Sequence, residues 1–263
     1  MAHFTPLISD LARGIDAAGD EIRSVTGTDA AAMAECDALA CWGWRRAKRL
    51  RVMSKGKPVL VVERGYVGDR FQWTSLGWNG LNRRAVFPKP RMPGDARTAE
   101  LCEILNMPPW QPKPDGYALI LGQVQSDQAC QNVNLGYQYR AWAQFLWQRG
   151  IEVKFRPHPM GRGQACPFPR AMFTRGTLAE DLAGAAFSIS WNSNSSVDSV
   201  LAGVPSVTFD EGAMAWEVTS HSLQEPVTMP SRTEWAAQLA WCQWQPSELA
   251  DGSAWKAVRE VKP

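Results

Sequence analysis

Phe187-Ser188-Ile189-Ser190-Trp191-Asn192-Ser193-Asn194-Ser195-Ser196-Val197-Asp198-Ser199-Val200-Leu201-Ala202-Gly203-Val204-Pro205-Ser206-Val207-Thr208-Phe209-Asp210 reads as strand, polar elbow, short helix and second strand. The apolar run from Ala185 to Ile189 has strand length, and Val197, Val200 and Leu201 follow at i, i+3, i+4, the spacing of one helix face. Gly203 and Pro205 end that helix. Asn194, Ser195 and Ser196 are each able to cap it by accepting a bond from an unpaired backbone N–H. Such a turn is either an ordinary αβ connection with a good cap or, with N–H groups and a helix dipole converging on it, a seat for phosphate. The preceding strand weighs towards the second reading, because it ends in Arg156-Pro157-His158-Pro159.

Working outward, Tyr117 to Leu121 is a continuous apolar run, the mark of a strand buried on both faces. It ends at Gly122-Gln123. Gly136 to Arg149 is a helix with Tyr139, Trp142, Phe145 and Leu146 inward, Ile151 to Phe155 is a strand, and Thr177-Leu178-Ala179-Glu180 is a capping box opening a helix to Gly184. The first half repeats the alternation less cleanly. Helices are expected at 7–19 and 30–35, strands at 21–25, 38–42 and 58–62, and a basic helix or loop at 44–57. Alternation of this kind predicts an α/β fold of two Rossmann-like halves facing a cleft. The division expected is an N-terminal Rossmann-like half at 1–90, a connection at 91–114, a C-terminal Rossmann-like half at 115–230 and C-terminal helices at 231–263. Seven prolines between 88 and 114 mark the connection. Residues 65–84 keep neither helical nor strand period and read as a Gly-, Arg- and Trp-rich functional loop.

With 263 residues, 45% of them hydrophobic and 21% charged, the chain has the composition of a soluble globular protein. Its apolar runs are too short to span a bilayer, and Met1-Ala2-His3-Phe4-Thr5-Pro6 is not a signal peptide, so a cytoplasmic location without membrane contact is expected. Six cysteines at 36, 41, 102, 130, 166 and 242 form no CxxC pair or zinc spacing and are expected to be reduced, with neither disulfide nor metal. A net charge of +2 creates no global field for nucleic acid, but Trp44 to Lys57 carries seven cations and no acid. That run is a solvated helix face or a phosphate-contacting patch. Thirteen tryptophans, several beside Gly, Arg or Asn, suggest surfaces that stack on rings as well as core. No GxGxxG, GxxxxGK[ST] or GxSxG motif is present, which disfavours a dinucleotide site, a P-loop kinase and a serine hydrolase elbow.

In a doubly wound sheet the ligand lies beyond the carboxyl ends of the strands, where Gln123, Arg156, His158 and the turn from Asn192 to Ser196, with Ser193, Asn194, Ser195 and Ser196 on the phosphate, should converge. The set has a cation, an imidazole and hydroxyls but no acid, which suits a diphosphate or phosphodiester bound without an obligatory metal, with Arg156 and His158 neutralising the departing phosphate. The bland alternative for His158 is a core histidine held by neighbouring backbone.

Strand–His-Pro, then strand, Asn/Ser-rich turn, helix, Gly-Val-Pro and strand resembles the C-terminal half of GT-B glycosyltransferases. It is similar to bacterial enzymes with paired His-Pro and Ser-Ser motifs, the capsule Kdo- and sialyltransferases. With Leu121-Gly122-Gln123-Val124 and Leu239-Ala240-Trp241-Cys242-Gln243-Trp244, the pattern over residues 117–245 also resembles small phage-encoded glycosyltransferase-like proteins. Some phage GT-B enzymes glycosylate hydroxymethylated pyrimidines in DNA. The resemblance implies a nucleotide-sugar co-substrate, a UDP-sugar first, whose phosphate is held by His158, Ser195 and Ser196, and no resident cofactor. It also implies a carboxylate base in the N-terminal half, for which Glu63 at the end of the strongest strand comes first and Asp69 second. A salt bridge from Glu63 to Arg64 or Arg70 is the structural alternative. Tyr66, Arg70, Trp73, Trp78, Arg83 and Arg84 would grip the acceptor, with arginines and rings interleaved as a flipped base or a sugar requires. Double-stranded, hydroxymethylated DNA is the expected acceptor, reached in the host cytoplasm if the chain is phage-encoded. A saccharide or lipid-linked acceptor and a non-catalytic binding module are the alternatives.

Overall fold

The computed structural model describes residues 5–25, 29–70, 72–90, 95–160 and 168–263. In chain order its elements are α1 (Thr5–Ala17), α2 (Ala30–Glu35), β1 (Leu39–Trp42), α3 (Trp44–Met53), β2 (Val59–Arg64), β3 (Thr74–Trp78), α4 (Ala96–Leu105), β4 (Tyr117–Leu121), α5 (Leu135–Trp147) and β5 (Val153–Arg156). There follow α6 (Leu178–Gly184), β6 (Ala185–Ser190), α7 (Ser195–Leu201), β7 (Ser206–Thr208), α8 (Thr233–Ala240), β8 (Gln243–Trp244), α9 (Pro246–Ala250) and α10 (Ser253–Arg259). The chain divides into two compact units, Met1–Leu101 with Ala236–Pro263, and Cys102–Trp235. The C-terminal helices, expected as a separate segment, thus belong largely to the N-terminal unit. The first residues of the expected connection, 91–94, and the expected thiol of Cys166 lie outside the described residues.

The unit at 102–235 holds a parallel sheet in the order β5-β4-β6-β7. β4 is a continuous apolar run because it has two faces to bury. Ala118 and Ile120 pack with Tyr139, Trp142 and Leu146 of α5, while Leu119 and Leu121 pack with Leu182, Ala185 and Val204. The capping box forms as expected, the Thr177 N–H donating to Glu180 Oε2 at 2.7 Å and the Glu180 N–H to Thr177 Oγ1 at 3.2 Å. Gly203 closes α7 at φ +76°, where a Cβ would stand 2.5 Å from the Pro109 carbonyl oxygen.

The other unit holds a mixed sheet in the order β1-β2-β3-β8, with β1 and β2 parallel and both later pairs antiparallel. β2 repeats the logic of β4. Leu60 and Val62 face a core with Leu76, Trp78 and Leu249, and Val59 and Val61 face Cys41 and Ala47 under α3. Two expectations fail here. Residues 21–25 form no strand; Arg23 instead bonds Glu21 and Glu35 at 3.0 and 2.9 Å. The supposed loop at 65–84 contains the buried strand β3. Gly77, which interrupts its pattern, is required because a Cβ there would lie 2.6 Å from Ala85 Cβ and 2.7 Å from the Phe87 ring. Among the described residues no helix is long and apolar enough to cross a membrane.

Candidate functional site

Because β4, β5, β6 and β7 are parallel, their carboxyl ends share one edge. The chain enters at β4, crosses to β5 on one side and then returns to β6 on the other. The gap between β4 and β6 is therefore the topological switch point, where open α/β sheets leave a crevice. Two loops border it, Gly122-Gln123 after β4 and Trp191 to Asn194 after β6.

Gln123, 7% exposed, ties these loops together. Its Oε1 accepts the N–H groups of Trp191 and Asn192, both at 3.1 Å, and its Nε2 donates to Asn192 Oδ1 at 2.8 Å and Cys130 Sγ at 3.2 Å. Its own N–H is held by the Tyr139 hydroxyl at 2.8 Å, and Asn192 Nδ2 donates to the Ala129 carbonyl at 2.7 Å. The amide expected to touch phosphate is thus fully occupied in shaping the turn. Asn192, the first residue of the expected turn, and Tyr139, absent from the sequence-based site, complete this lock. Burial pushes the Cys130 thiol up to about 12, so it stays protonated and is no nucleophile at neutral pH.

None of the three expected caps accepts a bond from the first turn of α7 through its side chain. Ser193 does so instead. Its Oγ accepts the Ser195 N–H at 3.2 Å, and its carbonyl oxygen accepts the Ser196 N–H at 3.0 Å and the Ser196 hydroxyl at 2.7 Å. Val197 and Asp198 donate their N–H groups to the Asn194 carbonyl. The first N–H groups of α7 are therefore satisfied locally rather than left open. The two serines of the pair also part company. Ser196 is fully buried with its hydroxyl turned inward, whereas Ser195 is half-buried and its hydroxyl makes no hydrogen bond among the described residues.

His158 stands two residues beyond β5, half-buried, and its Nδ1 accepts the Met160 N–H at 3.2 Å. In the neutral ring that bond places the proton on Nε2. One strand, β4, separates β5 from β6, so the His158 and Ser195 loops rise from strands about 10 Å apart on the same edge. Arg156 turns elsewhere. Val153 and Phe155 face the α5 core, and on the opposite face the Arg156 guanidinium bonds the Gly176 carbonyl at 2.8 Å and forms an ion pair with buried Asp181. The fourth strand, outside the expected set, brings acids to the same edge, since β7 runs into Asp210 and Glu211, and Asp210 Oδ1 accepts the Gly212 N–H at 2.6 Å.

In the other unit, Glu63 lies near the carboxyl end of β2, half-buried, with Oε1 accepting the Trp44 N–H at the start of α3, 3.2 Å away. Gly43, at φ +87°, makes the turn that brings that N–H round. Cross-strand pairing sets Glu63 beside Ser75 and Ser75 beside Gln243. Asp69, the second carboxylate, is exposed in the loop beyond.

The six expected acceptor residues do not converge. β3 runs antiparallel, so Thr74 pairs with Arg64 at the end of β2 while Trp78 pairs with Leu60 near its start. Tyr66, Arg70 and Trp73 belong to the Glu63 edge; Trp78 and exposed Arg83 and Arg84 lie about 14 Å away along β3. Two of the six are core residues. Trp78 is 1% exposed and donates Nε1–H to the Val258 carbonyl at 2.8 Å, and Tyr66 is 5% exposed with its hydroxyl accepting from Ser75 at 3.0 Å. A hidden β-strand is the physical reason, because a strand separates its two flanks instead of gathering them.

No protein-family model and no curated protein matches the sequence. Among solved structures, the chain is similar to Thermosulfurimonas dismutans KpsC, beta Kdo 2,4 transferase, with a TM-score of 0.60 and 12% identity over 91% of this chain and 89% of that one. It is similar also to the beta Kdo 2,7 transferase of the same organism's KpsC, with a TM-score of 0.59 and 11% identity over 90% and 88%. The likeness spans both units, and the fold is the GT-B-like α/β fold of those transferases.

Proposed function

We propose that the protein is a glycosyltransferase that moves a sugar from a nucleotide-sugar to an acceptor hydroxyl. The observation that carries this reading is the edge of the parallel sheet, where the His158 imidazole, its Nδ1 accepting the Met160 N–H, and a half-buried serine hydroxyl rise on either side of β4 in a fold shared with sugar transferases. In this reading the acceptor oxygen attacks the anomeric carbon, the bond to phosphate breaks, and the phosphate leaves with its electron pair. His158 Nε2–H, the Ser195 hydroxyl and the Ser193 N–H take up that charge. Arg156 and Gln123 act indirectly by holding the loops. Glu63 is the base that removes the acceptor proton, its carboxylate oriented by the Trp44 N–H. Asp69 is the second candidate. No metal is assigned a role, so transfer should survive a chelator.

Two acceptors have support. The names of the neighbours favour a saccharide hydroxyl. The second reading, hydroxymethylated DNA, is favoured by α3, whose exposed Arg45, Arg46 and Arg49 carry no ion pair among the described residues. The split acceptor loop removes one further support for DNA. The test is turnover with UDP-, CMP- and GDP-sugars, in chelator, with a saccharide or hydroxymethylated duplex as acceptor. His158→Ala should lower both donor hydrolysis and transfer by about 100-fold or more, and Glu63→Ala transfer alone. Wild-type protein that neither binds nor turns over any nucleotide-sugar would overturn the proposal.

A further inference from the structure

Beyond β7 the chain folds a loop over residues 209–218 and returns beside the sheet. Val207 bridges Ser220 in parallel register, the Thr208 N–H donates to the Ser220 carbonyl at 2.9 Å, and the Thr208 and Thr219 hydroxyls bond at 2.6 Å. Residues 219–220 thus extend the parallel sheet by one short edge, and His221 stands at its carboxyl end, in line with the phosphate site. There the imidazole lies flat on the Trp216 indole, with ring centroids 3.4 Å apart and planes 11° apart. Its Nδ1 is 3.3 Å from the Thr208 carbonyl oxygen.

The stack is held from below. Ala213, Ala215 and Val218 are buried, the Trp235 Nε1–H donates to the Met214 carbonyl at 2.8 Å, and the Ser220 hydroxyl accepts the Thr228 N–H at 2.8 Å. One face of the ring rests on Trp216, and His221 as a whole is exposed. A rigid, open aromatic face is what a flat heteroaromatic ring stacks on, because neither partner loses freedom in meeting the other. β6 and the 219–220 edge are two strand spacings apart, about 10 Å, the order of separation between the phosphates and the base of one nucleotide.

We infer that the Trp216–His221 stack is the platform for the nucleobase of the donor, with the base lying on the outer face of His221. This rests on the transferase reading above. It assigns two residues to base recognition that the phosphate-site motifs do not contain.

Equilibrium binding of CMP, UMP and GMP, with ribose 5-phosphate as the base-free control, tests it on the full chain. The best-bound nucleotide should weaken about tenfold in His221→Ala, recover in His221→Phe, and leave ribose 5-phosphate binding unchanged. Nucleotide binding equal in wild type and His221→Ala would overturn the platform while the transferase reading stands. Equal weakening of ribose 5-phosphate would also overturn it, since His221 would then act on phosphate. Wild-type protein that binds no nucleotide would overturn the transferase reading and the platform with it. Because His221 is exposed, its replacement leaves the core intact.

Discussion

In the parallel sheet of residues 117–208, four strands end at one edge, whereas in the mixed sheet β3 runs backwards and sends half of its polar neighbourhood to the opposite side. The same kinds of residue therefore meet different fates. Gln123, His158 and Ser195 are far apart in sequence and come to one edge because parallel topology leaves no alternative. Tyr66, Trp73, Trp78 and Arg84 are close in sequence and are parted by a single strand. Proximity along a chain is weaker evidence for a site than shared strand polarity.

The sharpest way to break this contrast is Trp78→Ala. If Trp78 is core, the substitution costs about 4 kcal/mol in denaturant unfolding, from cavity formation and the lost bond to the Val258 carbonyl. A fully stable variant with acceptor binding specifically lost would restore Trp78 to the acceptor site.

Next in size is Gln123→Ala, which leaves the Trp191 and Asn192 N–H groups without their acceptor and removes the amide donor to Asn192 Oδ1. It should cost about 2 kcal/mol and lower affinity for phosphate-bearing ligands. Loss of stability with unchanged ribose 5-phosphate binding would separate the lock from the site.

The smallest effect concerns how the C-terminal segment is fastened. Hydrogen bonds from Trp255 and Arg259 hold the Asp20 carboxyl below the usual aspartate range, tying the end of the first helical region to α10. A depressed carboxyl stabilises above its unfolded pKa of about 4, and that contribution disappears as pH falls through the depressed value. Asp20→Asn should therefore lower stability at pH 7, by less than about 1 kcal/mol given its exposure, and match wild type near pH 2. An equal deficit at both values would show that the carboxylate's charge is not what fastens α10.

The parallel unit was largely legible because its signals are local. An apolar run buried on both faces, a capping box and a Gly-Val-Pro stop each act within a few residues, as at Tyr117–Leu121, Thr177–Glu180 and Gly203. Asn194, one of three expected caps, does hold the cap position of α7, but in helical dihedrals its side chain accepts no bond from the first turn, and Ser193, which shares the chemistry a cap needs, supplies the oxygen instead. β3 was missed because Gly77 reads as loop chemistry until Ala85 and Phe87 are found pressing on it.

Residue type and spacing alone determined that this chain builds α/β layers, that β2 and β4 are central strands, and that His158 and the 192–196 turn belong to strand ends. Those are consequences of what each residue can bury or bond within its own neighbourhood. Tertiary structure alone decided that Gln123 is a lock, that Arg156 pairs with Asp181, that Gln243–Trp244 closes the first unit's sheet, and that His221 lies on Trp216. Each of these joins residues whose meeting depends on strand order and direction, which no local preference encodes.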